Sequence, residues 1–508
     1  MVGVPGRSKG CATCRKRKIG CGLQMPQCAQ CIKSKRICGG YQRDRTFINH
    51  SACEGWEISP TKIVVNAPVT ATLTSKAFVT NHVTSPIEDT TVTLASKRDL
   101  CSLILQDPCP LALYRQQLIG VFLTYHLVEK KRGSIETKSW FALLSQLPFP
   151  IIALDRSLLA ICTARLGHIH NDEALVQKSL AMYTVGLGEL QKALYDPELM
   201  YSDQTLGSCM ALALYEVMEC PAGTKHAYAS HRSGCARLIQ LRGVGAHVSG
   251  LGHHMFVFFR LQTIMSALEY HQPTYLSEEI WRTLPWRYNP KTRFDKLLDI
   301  VSKAPAIYRQ ADDFEILGPQ EKLIGACAVI KDCWKVNNTM QRFYEESDAA
   351  SSRSLYWEEP STQSLVRNIE DLTIFPTVYH FPDIEVGKAM VFYWAALTML
   401  WTGMMRLYLL VGALKQAGFS APEVDELPPL GECTDFITPA RNVLRSVEYM
   451  LQDKLLGLGP QSVVAPLSIV VETIKDLPQY AREVAWADEV LDEIKGRGLQ
   501  ILGTRDRA

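Results

Sequence analysis

A mostly α protein is expected, made of a small cysteine-rich N-terminal domain and a large all-α body of helical hairpins. Three observations predict it. Six cysteines stand at Cys11, Cys14, Cys21, Cys28, Cys31 and Cys38, in the spacing C-x2-C-x6-C-x6-C-x2-C-x6-C. Residues 108–508 show helical periodicity with almost no pairable strands. The stretch between them shows neither pattern, which separates a head, residues 1–45, from a body, residues 108–508, by a linker, residues 46–107.

The head comes first. Two cysteines separated by two residues can grip one tetrahedral ion, and the pairs Cys11/Cys14 and Cys28/Cys31 are each followed by another cysteine seven positions on. Each half supplies three thiolates. If each half holds one zinc, six sulfurs must fill eight coordination positions, so two of them bridge and the cluster is binuclear. A disulfide framework needs an oxidising compartment, whereas Met1 to Gly10 has no apolar signal core and the other ten of the 16 cysteines are scattered. Iron–sulfur ligation usually has tighter or different spacings. Eleven Lys and Arg against the single Asp44 give residues 1–45 a formal +10. Because the whole chain is +2, the remainder sums to −8. A positive head on a mildly acidic body implies a polyanionic partner for the head alone. So small a module has almost no apolar core and is expected to be unfolded without metal.

Residues 11–38, CATCRKRKIGCGLQMPQCAQCIKSKRIC, resemble the fungal Zn2Cys6 binuclear-cluster DNA-binding domain, with all six ligands in order and spacing. The resemblance implies two zinc ions bridged by the first and fourth cysteines, Cys11 and Cys28. It also implies a short helix after the first CxxC, here Arg15 to Gly20, whose end enters the major groove and usually reads a CGG triplet. Arg15, Arg17 and Lys18 match the family's basic run, Lys18 falls on the position that most often contacts base edges, and Pro26 matches a proline before the fourth cysteine. Gly20 departs from a common lysine and Gly22 from a common aspartate. The chemistry of the residues agrees, since a lysine can donate to guanine O6 and N7 whereas phosphate contacts only position the protein. Lys18 is therefore assigned to base reading, and Arg15, Lys16, Arg17, Lys33, Lys35 and Arg36 to phosphates. The run Arg15-Lys16-Arg17-Lys18 also suits nuclear import.

In the linker, Thr, Val, Ser and spaced prolines predict irregular chain, with extended pieces around Lys62–Val65 and Thr90–Leu94. No sustained heptad follows Cys38, so pairing as a homodimer or heterodimer is expected to run through the helical body, with a monomeric reader as the alternative.

In the body, apolar periodicity predicts helices at Leu111–Leu127, Ile135–Ser145, Ile151–Ile169, Asp172–Tyr195, Asp203–Met218, His226–Arg242 and Met255–Glu269. Further helices are predicted at Phe294–Tyr308, Glu321–Trp334, Ser361–Leu372, Val386–Leu414, Ala440–Asp453, Ser462–Thr473 and Ala485–Lys495. No clean repeat period emerges. The body is similar to the fungal-specific transcription factor domain that accompanies the zinc cluster, through an HxxGCxxLIxxRG stretch: His231, Gly234, Cys235, Leu238, Ile239, Arg242 and Gly243. The resemblance makes it an all-α regulatory domain.

Lys388 to Lys415 is long and apolar enough to span a bilayer, but Arg406 interrupts it, so a core helix is expected and no membrane partner. Its Trp394, Trp401, Met404 and Met405 suit burial, and the same helix is where a small molecule or partner would bind. No enzyme is expected. RGVGAHVSGLGHH, residues 242–254, lacks a P-loop pattern, and His247, His253 and His254 lack a matching carboxylate, which favours a surface loop. His126 and His168 sit at helix ends, and Cys235 is expected to be packed.

These readings converge on a sequence-specific DNA-binding transcription regulator, and the resemblance implies a fungal nucleus, RNA polymerase II genes and a role in metabolic or biosynthetic-cluster regulation. Its expected partners are double-stranded DNA with CGG-like triplets and the transcription machinery. The alternative is a partner-dependent regulator whose body docks onto another transcription factor, its own DNA binding weakened at Gly20 and Gly22.

Overall fold

The computed structural model describes residues 11–24, 27–36, 38, 110–126, 139–219, 226–361, 374–455 and 457–496. The chain divides into two units, Met1–Leu94 and Ala95–Ala508. The expected linker with its extended pieces, and the helix expected at Ser361–Leu372 beyond its first residue, lie outside the described residues.

The N-terminal unit contains two single-turn-sized helices, α1 (Ala12–Lys16) and α2 (Ala29–Lys33), around the buried sulfurs of Cys11, Cys14, Cys28 and Cys31. No hydrocarbon core supports them among the described residues, so the metal ligands are the core.

The C-terminal unit is helical. Its first half runs through α3 (Pro110–His126), α4 (Trp140–Ser145), α5 (Ile152–His170), α6 (Glu173–Tyr195), α7 (Asp203–Glu219), α8 (His226–Arg242) and α9 (Gly250–Glu269). The hairpin α5–α6 turns on Asn171, in the left-handed region at φ 52°, and on Asp172, whose carboxylate accepts from the Ala174 and Leu175 backbone N–H groups. Helix α7 is buried along nearly its whole length because α5, α6 and α8 pack around it. After the short α10 (Glu279–Thr283) come α11 (Arg293–Val301), α12 (Ala304–Glu315) and α13 (Pro319–Ala349). The single helix expected at Phe294–Tyr308 is thus two, broken at Ser302–Lys303, where Pro305 opens the next helix and cannot continue the previous one.

The second half centres on α14 (Ile384–Gln416), against which α11, α13, α16 (Ile437–Met450) and α17 (Leu458–Ile474) pack; α15 (Pro422–Asp425) precedes α16, and α18 (Ala481–Gly496) closes the described chain. Helices α16 and α17 approach closely at Gly459, where an added Cβ would lie 1.9 Å from the Met450 carbonyl oxygen. Among the described residues α14 alone is long and apolar enough to cross a membrane. Its N-terminal half, including Ala389, Met390, Val391, Trp394 and Thr398, is buried in the core of the body. Trp401, beyond it, is half-buried and donates through Nε1 to Asn337 Oδ1 at 2.8 Å.

Two features were not expected from the sequence. An antiparallel ladder joins β1 (Trp357–Pro360) to β2 (Thr377–His380), with Trp357 opposite His380. Four-residue strands are too short to show alternation, and this pair is held from outside. Arg445 of α16 donates to the Thr377 carbonyl at 3.1 Å and the Tyr379 hydroxyl at 2.8 Å, and pairs with Glu358 at 3.0 Å. Residues 242–254 are not a surface loop either. Val244–His247 form a 3-10 turn, α9 begins at Gly250, five residues before the expected Met255, and His247 and His253 are buried. The histidines face backbone carbonyls, with His247 Nδ1 3.0 Å from Gly252 O and His253 Nδ1 3.1 Å from His247 O, and burial pushes both pKa values down. Neutral, carbonyl-bonded imidazoles serve packing here.

Candidate metal centre

Both halves of the head use the same local device. Cys11 Sγ accepts the Cys14 backbone N–H at 3.4 Å and Cys28 Sγ accepts that of Cys31 at 3.3 Å, so each leading cysteine stands where a Ser or Thr would cap a helix. One helical turn then brings both thiols of each CxxC to the same side. Each helix is closed by a lysine in the left-handed region, Lys18 at φ 53° and Lys35 at φ 47°. In each case the next N–H reaches back across the turn, Ile19 to Cys14 O at 3.2 Å and Arg36 to Cys31 O at 2.9 Å. A non-glycine residue there costs about 1–2 kcal/mol. The pseudo-repeat of the cysteines therefore extends to the backbone and to these two lysines. The expected helix, Arg15 to Gly20, is displaced: α1 starts at Ala12 because Cys11 caps it and ends at Lys16 because Lys18 turns the chain.

The six sulfurs form two groups of four, Cys11, Cys14, Cys21 and Cys28, and Cys11, Cys28, Cys31 and Cys38, each within 4.8 Å of one another. Cys11 and Cys28 belong to both and lie 3.7 Å apart. Cys14 to Cys28 is 3.6 Å and Cys11 to Cys31 is 3.8 Å. A tetrahedral zinc with Zn–S bonds of about 2.3 Å requires sulfur–sulfur edges of about 3.8 Å, so the groups fit two zinc tetrahedra sharing one edge. When bound, the ions supply structural cross-links and hold the sulfurs as thiolates. Bound cations favour the deprotonated thiols against the cost of burying them together.

Around the cluster Lys16, Arg17, Lys18, Lys33, Lys35 and Arg36 are exposed. Arg17 has a second task, donating through Nη1 to Ser34 Oγ at 3.1 Å and so tying the first half to the second. The side chain of Arg15, and Pro26, lie outside the described residues. At Gly22 an added Cβ would lie 2.4 Å from Gln24 Oε1, which accepts the Ala29 N–H at 2.9 Å at the start of α2. Gln24 therefore occupies the space that a side chain at residue 22 would enter. Neither the Arg17–Ser34 bond nor the Gln24 cap was legible in the sequence, since both join residues with no shared motif. The alignment of Lys35 with Lys18 was legible, as both follow a leading cysteine by seven positions.

Removing the metal with a chelator is expected to unfold the head while leaving the thermal transition of the helical body in place. Amide NMR signals of residues 11–38 would collapse into the unfolded range and recover on zinc addition; unchanged signals would show a head folded by other means.

The HxxGC stretch lies on α8 and serves packing. Gly234 faces α7, where an added Cβ would meet Cys209 Sγ in ordinary contact at 3.6 Å, and Cys235, Leu238 and Ile239 are buried. Arg242 pairs with Asp203 at the start of α7, and Gly243 turns the chain at φ 76°. His168 is bonded to Glu219 at 2.9 Å. His126 is the last residue of α3, with its side chain outside the described residues.

Comparison with known proteins agrees with this architecture. A curated uncharacterized protein of Emericella nidulans is 31% identical over 130 residues, 26% of this chain and 27% of that protein. An uncharacterized transcriptional regulatory protein of Schizosaccharomyces pombe is 62% identical over 32 residues, 6% of each chain. The matched stretches thus span about a quarter or less of these relatives. No solved structure matches the chain. Residues 9–46 match the fungal Zn(2)-Cys(6) binuclear cluster domain and residues 109–301 the fungal specific transcription factor domain. The chain is therefore similar, in this order, to a zinc binuclear cluster domain and to a fungal specific transcription factor domain.

Proposed function

We propose that the protein is a nuclear transcription regulator that binds double-stranded DNA through its head, with Cys11 and Cys28 bridging two zinc ions. The observation that carries this reading is the shared-edge thiol cluster, directly followed by an exposed basic turn, Lys16 to Lys18. The strained backbone at Lys18 aims one lysine away from the cluster, where its ammonium can donate to guanine O6 and N7 of a CGG-like triplet. Lys16, Lys33, Lys35 and Arg36, with Arg15 and the free edge of Arg17, meet phosphates and make affinity salt-dependent. One triplet is too short to select a promoter, so two heads are paired through the helical bodies, and the targets are fungal metabolic or biosynthetic-cluster genes read by RNA polymerase II.

In vitro selection from random DNA with the zinc-loaded full-length protein tests this. Paired CGG-like triplets at fixed spacing are expected. Lys18→Ala is expected to keep two zincs and lose about 1–3 kcal/mol of discrimination between matched and scrambled triplets. Full discrimination by that variant would refute the role of Lys18. No enrichment by zinc-replete wild-type protein would favour the partner-dependent regulator instead.

A further inference from the structure

The helical body holds a cavity of about 1190 Å³. One stripe of α14 lines it. Ala396, Met399, Gly403, Arg406, Leu407 and Leu410 recur at helical spacing and all line the cavity. Residues of α7, α8, α9, α11, α12, α13 and α17 complete the wall. The aromatic residues Trp394 and Trp401, which drew attention to this helix in the sequence, point elsewhere. The lining is mainly apolar, and four methionines, Met210, Met265, Met340 and Met399, give it a surface that adapts to different shapes.

Most of the charged groups in the wall have partners. Glu269 is paired with Arg232, Asp312 with His271 at 2.7 Å, and Glu472 with Lys475 at 2.6 Å. Arg406 has no hydrogen bond or ion pair to any described residue. Arg406 is exposed and lies on the apolar stripe of α14, so it suits a molecule whose hydrocarbon body enters the cavity and whose one anionic end stays at the surface. A carboxylate matches the planar fork of arginine with two parallel hydrogen bonds.

We propose that this cavity binds a small apolar carboxylic acid, its carboxylate on Arg406 and its hydrocarbon body along the methionine-lined wall. Such a ligand would give the regulatory body a chemical input. The inference stands apart from the metal and DNA reading, since every residue it uses lies in the body.

The test uses the zinc-loaded full-length protein and the fluorescent acid dansyl-undecanoate, displaced by dodecanoate or by dodecan-1-ol. The acid is expected to compete roughly tenfold or more better than the alcohol, as a charge-assisted hydrogen bond predicts. Arg406→Met should bring dodecanoate down to the level of the alcohol while leaving the alcohol unchanged. Gly403→Phe should weaken both, because a Cβ at Gly403 meets nothing within 4 Å and a larger side chain fills the cavity. Absence of probe binding to the folded wild-type protein, equal competition by acid and alcohol, or an unaltered preference in Arg406→Met would each overturn the proposal. If Gly403→Phe fails to fold, the acid-to-alcohol ratio in the wild type and Arg406→Met still decides.

Discussion

Replacing Cys28 with alanine is expected to remove both zinc ions from the head and abolish selective DNA binding. Cys28 lies in both four-sulfur groups, so the substitution leaves each ion with three sulfurs instead of four. It also removes the sulfur that caps α2 through the Cys31 N–H. Structural zinc in small domains supplies on the order of 10–16 kcal/mol of folding free energy per site, far more than so small a module can replace by packing. Cys21→Ala makes a graded comparison, because Cys21 belongs to one group and is partly exposed, so water can take its place. Zinc content measured on purified protein should fall from two to near zero for Cys28→Ala and to an intermediate value for Cys21→Ala. Retention of two zincs by Cys28→Ala would rule out the shared edge. Cys14→Ala, which removes a fully buried ligand of one group, is expected to unfold the head as well.

Arg260→Met is expected to destabilise the helical body by about 3–5 kcal/mol. The Arg260 side chain is 0% exposed; Nη2 is 2.5 Å from Asp299 Oδ1, and Nη1 is 3.5 Å from Asp295 Oδ1. Its guanidinium carbon lies 5.2 Å from the centre of the Trp286 ring, and Lys291 also pairs with Asp299. Asp295 is buried and forms the capping box of α11 with Thr292. Methionine matches the volume of arginine but leaves Asp295 uncompensated and Asp299 with Lys291 alone. Removing one member of a buried charge group costs the desolvation of those that stay behind. Lysine cannot substitute, since one ammonium cannot span two carboxylates with the geometry of a guanidinium. Chemical denaturation followed by circular dichroism should show the shift in midpoint. Arg260→Met combined with Asp299→Asn should recover part of the loss. A single-variant loss below about 1 kcal/mol would mean that the network is neutral.

The head was largely legible because its information is local. Each CxxC fits one helical turn, ligand counting requires bridging, and the basic residues sit beside the ligands in the chain. The displacement of α1 relative to the expected Arg15–Gly20 escaped that reading because sulfur capping is not a propensity of cysteine in general. It depends on where the thiol is held by the rest of the cluster. Several long helices of the body were legible for a similar reason, although α13 runs to Ala349, well beyond the expected end at Trp334, because its later residues pack against α14 and do not follow one simple apolar stripe. His226–Arg242 has the bounds its apolar spacing predicted, α6 and α7 differ from expectation by a residue at one end, and α5 by a residue at each end.

Tertiary contacts decided the rest. The ladder of Trp357–Pro360 with Thr377–His380 depends on Arg445, more than sixty residues further on. Burial of His247 and His253 depends on α9 beginning five residues early, which no apolar stripe announced. The same holds for α14: its composition alone is equally suited to a bilayer, a core or a pocket. Only the packing against α11, α13, α16 and α17, and the stripe from Ala396 to Leu410 that lines the cavity, separate core from pocket. The sequence by itself determined the metal chemistry, the basic face and the all-α class, because ligand spacing, charge and helical periodicity act over a few residues. The buried Arg260 network and the surroundings of Arg406 were decided by the tertiary structure, because they depend on which groups from distant parts of the chain are brought together.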